Sequence, residues 1–173
     1  IPYGITQISD YTFSECSMLS KVIIPNTVTH IGNNAFRECT YLTEFTIPDS
    51  VTQIGDYAFA GCSLLSNISI PDNVTQICSN AFKGCCSLTE IRFPIYATQI
   101  DKFTFSGCYS LKKILIPKSV TQIGDYAFDR CSSIKNIFIP DTIQVIGSNA
   151  FKECTSLKNI IIPNNITQIC DYT

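Results

Sequence analysis

Histidine is almost missing from this chain. His30 is the only one among 173 residues, so a serine or cysteine hydrolase would have to draw its general base from that single position. His30 falls in a column otherwise holding Gln7, Gln53, Gln76, Gln99, Gln122 and Gln168, and that periodicity accounts for it as a glutamine substitute without catalysis. Charge is sparse too. Charged residues make up 15% of the chain and the formal net charge is −2, so there is no overall basic field to hold a nucleic-acid backbone. No apolar run approaches the roughly 20 residues that span a bilayer, which predicts a soluble piece with no direct membrane insertion. Neither a basic nor an apolar leader segment opens the chain, so no signal peptide is visible. Ten cysteines are present, but no Cys-x-x-Cys pair occurs among them, which argues against zinc. The glycines are spread along the chain rather than clustered into a phosphate-cradling loop. Together these absences predict no enzyme, no metal site and no cofactor.

What is present is a period. All eight prolines, Pro2, Pro25, Pro48, Pro71, Pro94, Pro117, Pro140 and Pro163, recur at one constant interval with no insertion or deletion, the signature of a repeat architecture. Phe13 to Phe151 and Cys16 to Cys154 keep the same 23-residue spacing. So do a column running from Leu19 to Leu157, with Ile134 in one coil, and an isoleucine column from Ile8 to Ile169. These columns are the expected inward-facing layers.

Within one unit, Leu111, Ile114 and Ile116 are apolar, and the last two alternate as in a strand with one buried face. The main strand is placed there. Pro117 has no amide hydrogen to donate and ends the strand at the same point in every coil. Val120 to Gly124 reads as a second, shorter extended segment. The column of Asp10, Asn33, Asp56, Ser79, Asp125, Ser148 and Asp171 holds residue types that cap exposed amides, which predicts a short 3₁₀ or α turn. Lys102 interrupts that column, so the turn there is expected to be the loosest. One unit buries nothing alone; each lays its apolar face on the next, about 4.8 Å away. Residues 1–173 are thus expected to form a single domain, a rod on the order of 35 Å long, cut from a longer array without evident caps and capable of end-to-end self-association.

The unit Leu-x-x-Ile-x-Ile-Pro-x-x-Val-Thr-x-Ile-Gly-x-x-Ala-Phe-x-x-Cys, nearly ideal over residues 111–131, closely resembles the BspA-like, or Treponema-type, leucine-rich repeat, and the resemblance covers the whole chain. It implies a curved leucine-rich-repeat solenoid with a parallel β-sheet on the concave face, and with short β segments and 3₁₀ or α turns on the convex side. It also implies a non-catalytic, secreted or cell-surface protein of the kind associated with adhesion to extracellular-matrix or host cell-surface proteins. The family motif carries no catalytic residues. Departures such as Phe93, Ala97, Cys78, Asp101 and Cys170 bear on local packing.

The seven-member cysteine column is expected to be a ladder of buried free thiols, because parallel side-chain directions disfavour the disulfide dihedral. Cys78, Cys86 and Cys170 lie off it and are the expected sites of exposure or oxidation. Cys78 and Cys170 sit four coils apart, about 19 Å along the stack, so a bridge between such residues would join two chains. Three sequons, at Asn67, Asn73 and Asn165, are glycan acceptors only in an exported eukaryotic chain.

The residue before the final strand isoleucine points away from the core and is free to vary: Ile23, Thr46, Ser69, Arg92, Leu115, Phe138 and Ile161. The last three are apolar, and Lys112, Lys113, Lys135 and Lys158 stand beside them. An apolar strip edged by charge fits a protein-binding site; strand propensity alone also places such residues on a sheet. Residues 1–94 carry 4 Lys/Arg against 8 Asp/Glu, and residues 95–173 carry 8 against 6, which turns the C-terminal half toward an acidic partner. The expected ligand is a protein held on the concave sheet; the alternative is a passive spacer or self-assembling module of a longer surface rod.

Overall fold

The computed structural model describes all residues, Ile1–Thr173. Six coils contribute two strands each, from Glu44–Thr46 onward, and every strand pair is parallel, each residue facing its equivalent in the adjacent repeat. The segment after the proline forms two-residue strands. Gln7–Ile8, His30–Ile31, Gln53–Ile54 and Gln76–Ile77 make one four-stranded ladder, and Gln99–Ile100, Gln122–Ile123, Val145–Ile146 and Gln168–Ile169 make another. The segment before the proline forms three-residue strands that pair in twos: Glu44–Thr46 with Asn67–Ser69, Glu90–Arg92 with Lys113–Leu115, and Asn136–Phe138 with Asn159–Ile161.

The break between the two long ladders coincides with a lapse of cross-coil amide bonds that the other coils make. The amides of Gly32, Gly55, Cys78, Gly124 and Gly147 donate at 2.8–2.9 Å to the isoleucine carbonyl one coil earlier. At the corresponding position, Asp101 makes no such bond, and the ladder stops between Ile77 and Ile100. This is one of the departures visible in the sequence.

On the third side, the expected short 3₁₀ or α turn is present as an arch of successive turns. Ala127, Asp129 and Cys131 donate to residues three back, as in a 3₁₀ turn, at 3.3, 3.1 and 3.0 Å. The alternate amides of Tyr126, Phe128 and Arg130 instead donate to Ser148, Ala150 and Lys152 of the next coil at 2.9, 2.8 and 2.7 Å. A continuous helix would spend every amide inside its own coil; here half of them bind the neighbour. Left-handed dihedrals accompany the arrangement, with φ of 55° at Tyr126 and 60° at Arg130, a conformation that costs a non-glycine residue about 1–2 kcal/mol. The turn at Lys102 is not loose. Phe103, Phe105 and Gly107 donate to the next coil at 3.0, 2.9 and 2.8 Å, and Lys102 Nζ reaches the Asp125 carboxylate at 3.1 Å.

The capping column also works across coils rather than within them. Asp10 Oδ1 accepts from the Asn33 amide at 2.7 Å, Asn33 Oδ1 from the Asp56 amide at 2.8 Å, and Asp125 Oδ1 from the Ser148 amide at 2.9 Å. These three steps combine Asp or Asn in one coil with Gly32, Gly55 or Gly147 in the next. Where Cys78 replaces the glycine, Asp56 makes no bond to the Ser79 amide.

The core is a row of stacked side chains. Phe13, Phe36, Phe59, Phe82, Phe105, Phe128 and Phe151 form one continuous column with ring centroids 5.2–5.7 Å apart and planes within 14° of parallel. Each such pair adds about 0.5–1.5 kcal/mol beyond the area it buries. Phe45 packs edge-on against Phe36 and Phe59, and Phe93 against Phe105.

Candidate functional site

The thiol ladder is the first chemical feature to place. Cys39, Cys62, Cys85, Cys108 and Cys131 are fully buried, Cys154 is half-buried and Cys16 is exposed. The expected ladder of buried thiols runs from Cys39 to Cys131, flanked by half-buried Cys154 and exposed Cys16. From Cys39 to Cys154, each S–H donates to the phenylalanine carbonyl 26 residues earlier, at 3.1–3.3 Å. The same carbonyl accepts the backbone amide of its own coil's cysteine, so both lone pairs are used. Burial raises these thiols, to about 11 at Cys39 and Cys154. A thiol held neutral and engaged as a donor is neither a nucleophile nor a metal ligand. No group of three His, Cys, Asp or Glu side chains is placed to hold a metal ion.

Cys78, Cys86 and Cys170, the expected sites of exposure, are instead half-buried, Cys86 beside fully buried Cys85. Burial, followed by the nearby Asp56 carboxylate, pushes the Cys78 thiol up. His30 pairs in register with Gln7 and Gln53. Its Nδ1 lies 2.7 Å from the Thr29 hydroxyl, which is also 3.1 Å from the Thr6 carbonyl. Thr52, Thr75 and Thr121 repeat that threonine-to-previous-coil bond, so the contact belongs to the stack. The sequon asparagines Asn73 and Asn165 likewise donate to the previous coil, at the Asp49 and Asp141 carbonyls.

The variable strand face is where side chains are left over. Across Lys113–Leu115 and Asn136–Phe138 the pattern is exposed, buried, exposed, because Ile114 and Ile137 are drawn into the core. Leu115, Phe138 and Ile161 are 51%, 72% and 79% exposed, large values for apolar side chains. Phe138 and Ile161 are direct strand partners. The strip continues at Leu115 in the preceding coil, across a gap in the ladder.

Lys112, Lys113, Lys135 and Lys158 are all exposed. None takes part in an ion pair; those are Arg92–Asp72, Lys102–Asp125 and Arg130–Glu153. Lys112, Lys113 and Lys135 line a shallow depression with Ser133, Asn136 and Ser156. Lys158 stands one coil on, its amide 3.0 Å from the Lys135 carbonyl. The seven residues singled out from the sequence thus lie on three successive coils, with Lys112, Lys113 and Lys135 around one depression and Phe138 paired with Ile161.

A second surface feature went unread in the sequence. Phe103 and Tyr126 stack at 4.7 Å with planes 5° apart, Lys83 Nζ lies 5.1 Å over Phe103, and Lys152 Nζ lies 6.0 Å over Tyr126. Its signal was another 23-residue column, Tyr11, Asn34, Tyr57, Asn80, Phe103, Tyr126, Asn149 and Tyr172, every member of which is left-handed.

The BspA type leucine-rich repeat model matches six copies over residues 1–96 and 76–173. The chain belongs to the BspA type leucine-rich repeat family. A leucine-rich repeat protein from Bacteroides ovatus superposes with a TM-score of 0.88 at 36% identity, over 96% of this chain and 43% of its own. A leucine rich cell surface protein from Faecalibacterium prausnitzii gives 0.81 at 38% identity, over 91% and 44%. The T. pallidum leucine-rich repeat protein gives 0.77 at 28% identity, over 88% and 83%. The chain therefore spans less than half the length of the first two. No curated protein matches this sequence. This repeat family is generally a scaffold rather than a catalyst, which agrees with the neutral, bonded thiol ladder.

Proposed function

We propose that this chain is a non-catalytic protein-binding module of a cell-surface or secreted protein, adhering to a host or extracellular-matrix protein through the face of its three-residue strands. The observation that carries the reading is the pairing of Phe138 and Ile161, 72% and 79% exposed in direct strand register, beside four lysines with no internal counter-ion. Exposed apolar residues scattered singly are ordinary on a protein surface; a continuous strip with a charged edge is the pattern of a binding patch. A surface location is supported by the family and by the neighbour described as a cell surface protein.

The test is capture of extracellular-matrix and cell-surface proteins by the wild type and by a Phe138→Ser/Ile161→Ser variant. Retention by the wild type and its loss in the variant is the expected result. Equal retention removes this patch. The alternative of a passive or self-assembling spacer predicts growth in light scattering with concentration and no retained protein.

A further inference from the structure

Resting on the binding face proposed above, we infer that its occupant is an acidic amphipathic helix of the partner, lying along the stacking direction with one helical turn per coil. The face presents two parallel rows. Lys112, Lys135 and Lys158 occupy equivalent positions in three successive coils, and Leu115, Phe138 and Ile161 stand three residues further along each coil. Lys112, Lys135 and Lys158 stand just before the strands Lys113–Leu115, Asn136–Phe138 and Asn159–Ile161, so the charged row edges the apolar one, and Lys112 and Lys135 share a depression with Lys113 and Asn136.

Spacing along the rows decides between occupants. Successive coils are about 4.8 Å apart, and an α-helix advances about 5.4 Å per turn. Side chains at i, i+4 and i+7 therefore keep step with three coils, with a mismatch of about 1 Å. Flexible lysine side chains absorb that difference. An extended peptide laid in the same direction repeats one face at intervals of about 6.6 Å and falls out of step. A sulfated polysaccharide supplies charge for the lysine row but no apolar row for Phe138 and Ile161.

Charge sets the composition of the helix. Three lysines at equivalent positions in successive coils repel one another, as like charges on neighbouring strands do, and no acidic side chain of the chain pairs with them. A row of glutamates or aspartates on the ligand removes that repulsion, while leucine-type residues on the adjoining face cover the aromatic and aliphatic row. The coil before Lys113–Leu115 does not extend the site, because Glu90 stands opposite Lys113 and breaks the positive charge, and Arg92 stands opposite Leu115 and breaks the apolar row.

The experiment uses a fluorescein-labelled synthetic helix of about three heptads, with glutamates along one row and leucines along the adjacent row. It is compared with a sequence isomer that scatters the same residues, and with heparin as competitor. Fluorescence anisotropy is expected to show the helix binding at least about tenfold tighter than its isomer, with a similar loss on Lys135→Glu or Phe138→Ser. Circular dichroism confirms that these surface variants fold. Equal binding of the two peptides, or heparin binding at an ionic strength where the helix does not bind, overturns the inference. Capture of a surface protein that depends on Phe138, with no helix binding, removes the helix alone; loss of both removes the binding face.

Discussion

Replacing Gly55 by alanine tests whether the cross-coil capping bonds hold the stack together. A Cβ on Gly55 would lie 2.7 Å from both the amide nitrogen and Oδ1 of Asn33 in the preceding coil. Asn33 Oδ1 is the group that accepts from the Asp56 amide. Forcing the two coils apart costs about 1–3 kcal/mol by analogy with an overpacked core. Losing the bond adds about 0.5–1.5 kcal/mol. Because Gly55 is not left-handed, alanine returns about 0.4–1 kcal/mol through the unfolded chain. A net loss of about 0.5–4 kcal/mol follows, read as a lower urea midpoint.

Gly84→Ala is the control. Its Cβ would find nothing closer than 3.7 Å, but Gly84 has φ +72°, so only the left-handed penalty of about 1–2 kcal/mol applies. The two variants separate in a double-mutant cycle with Asn33→Ala. Gly55→Ala and Asn33→Ala are expected to be non-additive because they break one bond, whereas Gly84→Ala and Asn33→Ala add. A Gly55→Ala protein as stable as the wild type, or strict additivity with Asn33→Ala, refutes the reasoning.

Phe82→Ala removes a fully buried ring from the middle of the stack and is expected to cost about 3–5 kcal/mol in denaturant unfolding, whereas exposed Phe138→Ser stays within about 0.5 kcal/mol. Glu38 is left-handed at φ 58° in a column where the next three coils carry Gly61, Gly84 and Gly107, so Glu38→Gly is expected to be neutral or to raise the thermal midpoint by the relief of about 1 kcal/mol of strain. Thiol titration with a chromogenic disulfide at mildly alkaline pH is expected to label exposed Cys16 at once and Cys85 and Cys131 only after unfolding. Raised folded-state thiol values mean that the unfolded chain loses its protons first, so stability is full below the unfolded thiol value near 9 and falls as pH rises toward about 11 at Cys39. A Cys39→Ser protein should show a shallower decline of the urea midpoint between pH 9 and 11, and an unchanged decline refutes the assignment to that thiol.

Much of the site was legible because a strand alternates faces and a repeat multiplies the signal. The isoleucines at 114 and 137 marked the buried face, so Leu115 and Phe138 had to point outward, and the fixed period placed Lys112, Lys135 and Lys158 in one row. The arch was harder to read. Asp10, Asn33 and Asp125 were recognisable as capping residues, but whether a cap binds its own coil or the next depends on the distance between coils, which no single unit contains. The same applies to the cysteines. Hydrophobicity explains their burial, while the S–H bond from Cys62 to the Phe36 carbonyl of the preceding coil appears only once the coils are stacked.

Composition and the unbroken period were enough to determine a stack of parallel coils with phenylalanine, leucine, isoleucine and cysteine inside, because only repetition in register buries every apolar column at once. Tertiary structure alone decided which amides serve the coil's own turn and which serve its neighbour, where the ladder breaks between Ile77 and Ile100, and which lysines find a counter-ion. Those outcomes depend on separations of a few ångströms between groups that lie about one repeat apart in the chain. One-dimensional order carries the period of such contacts, and three-dimensional packing sets their distance.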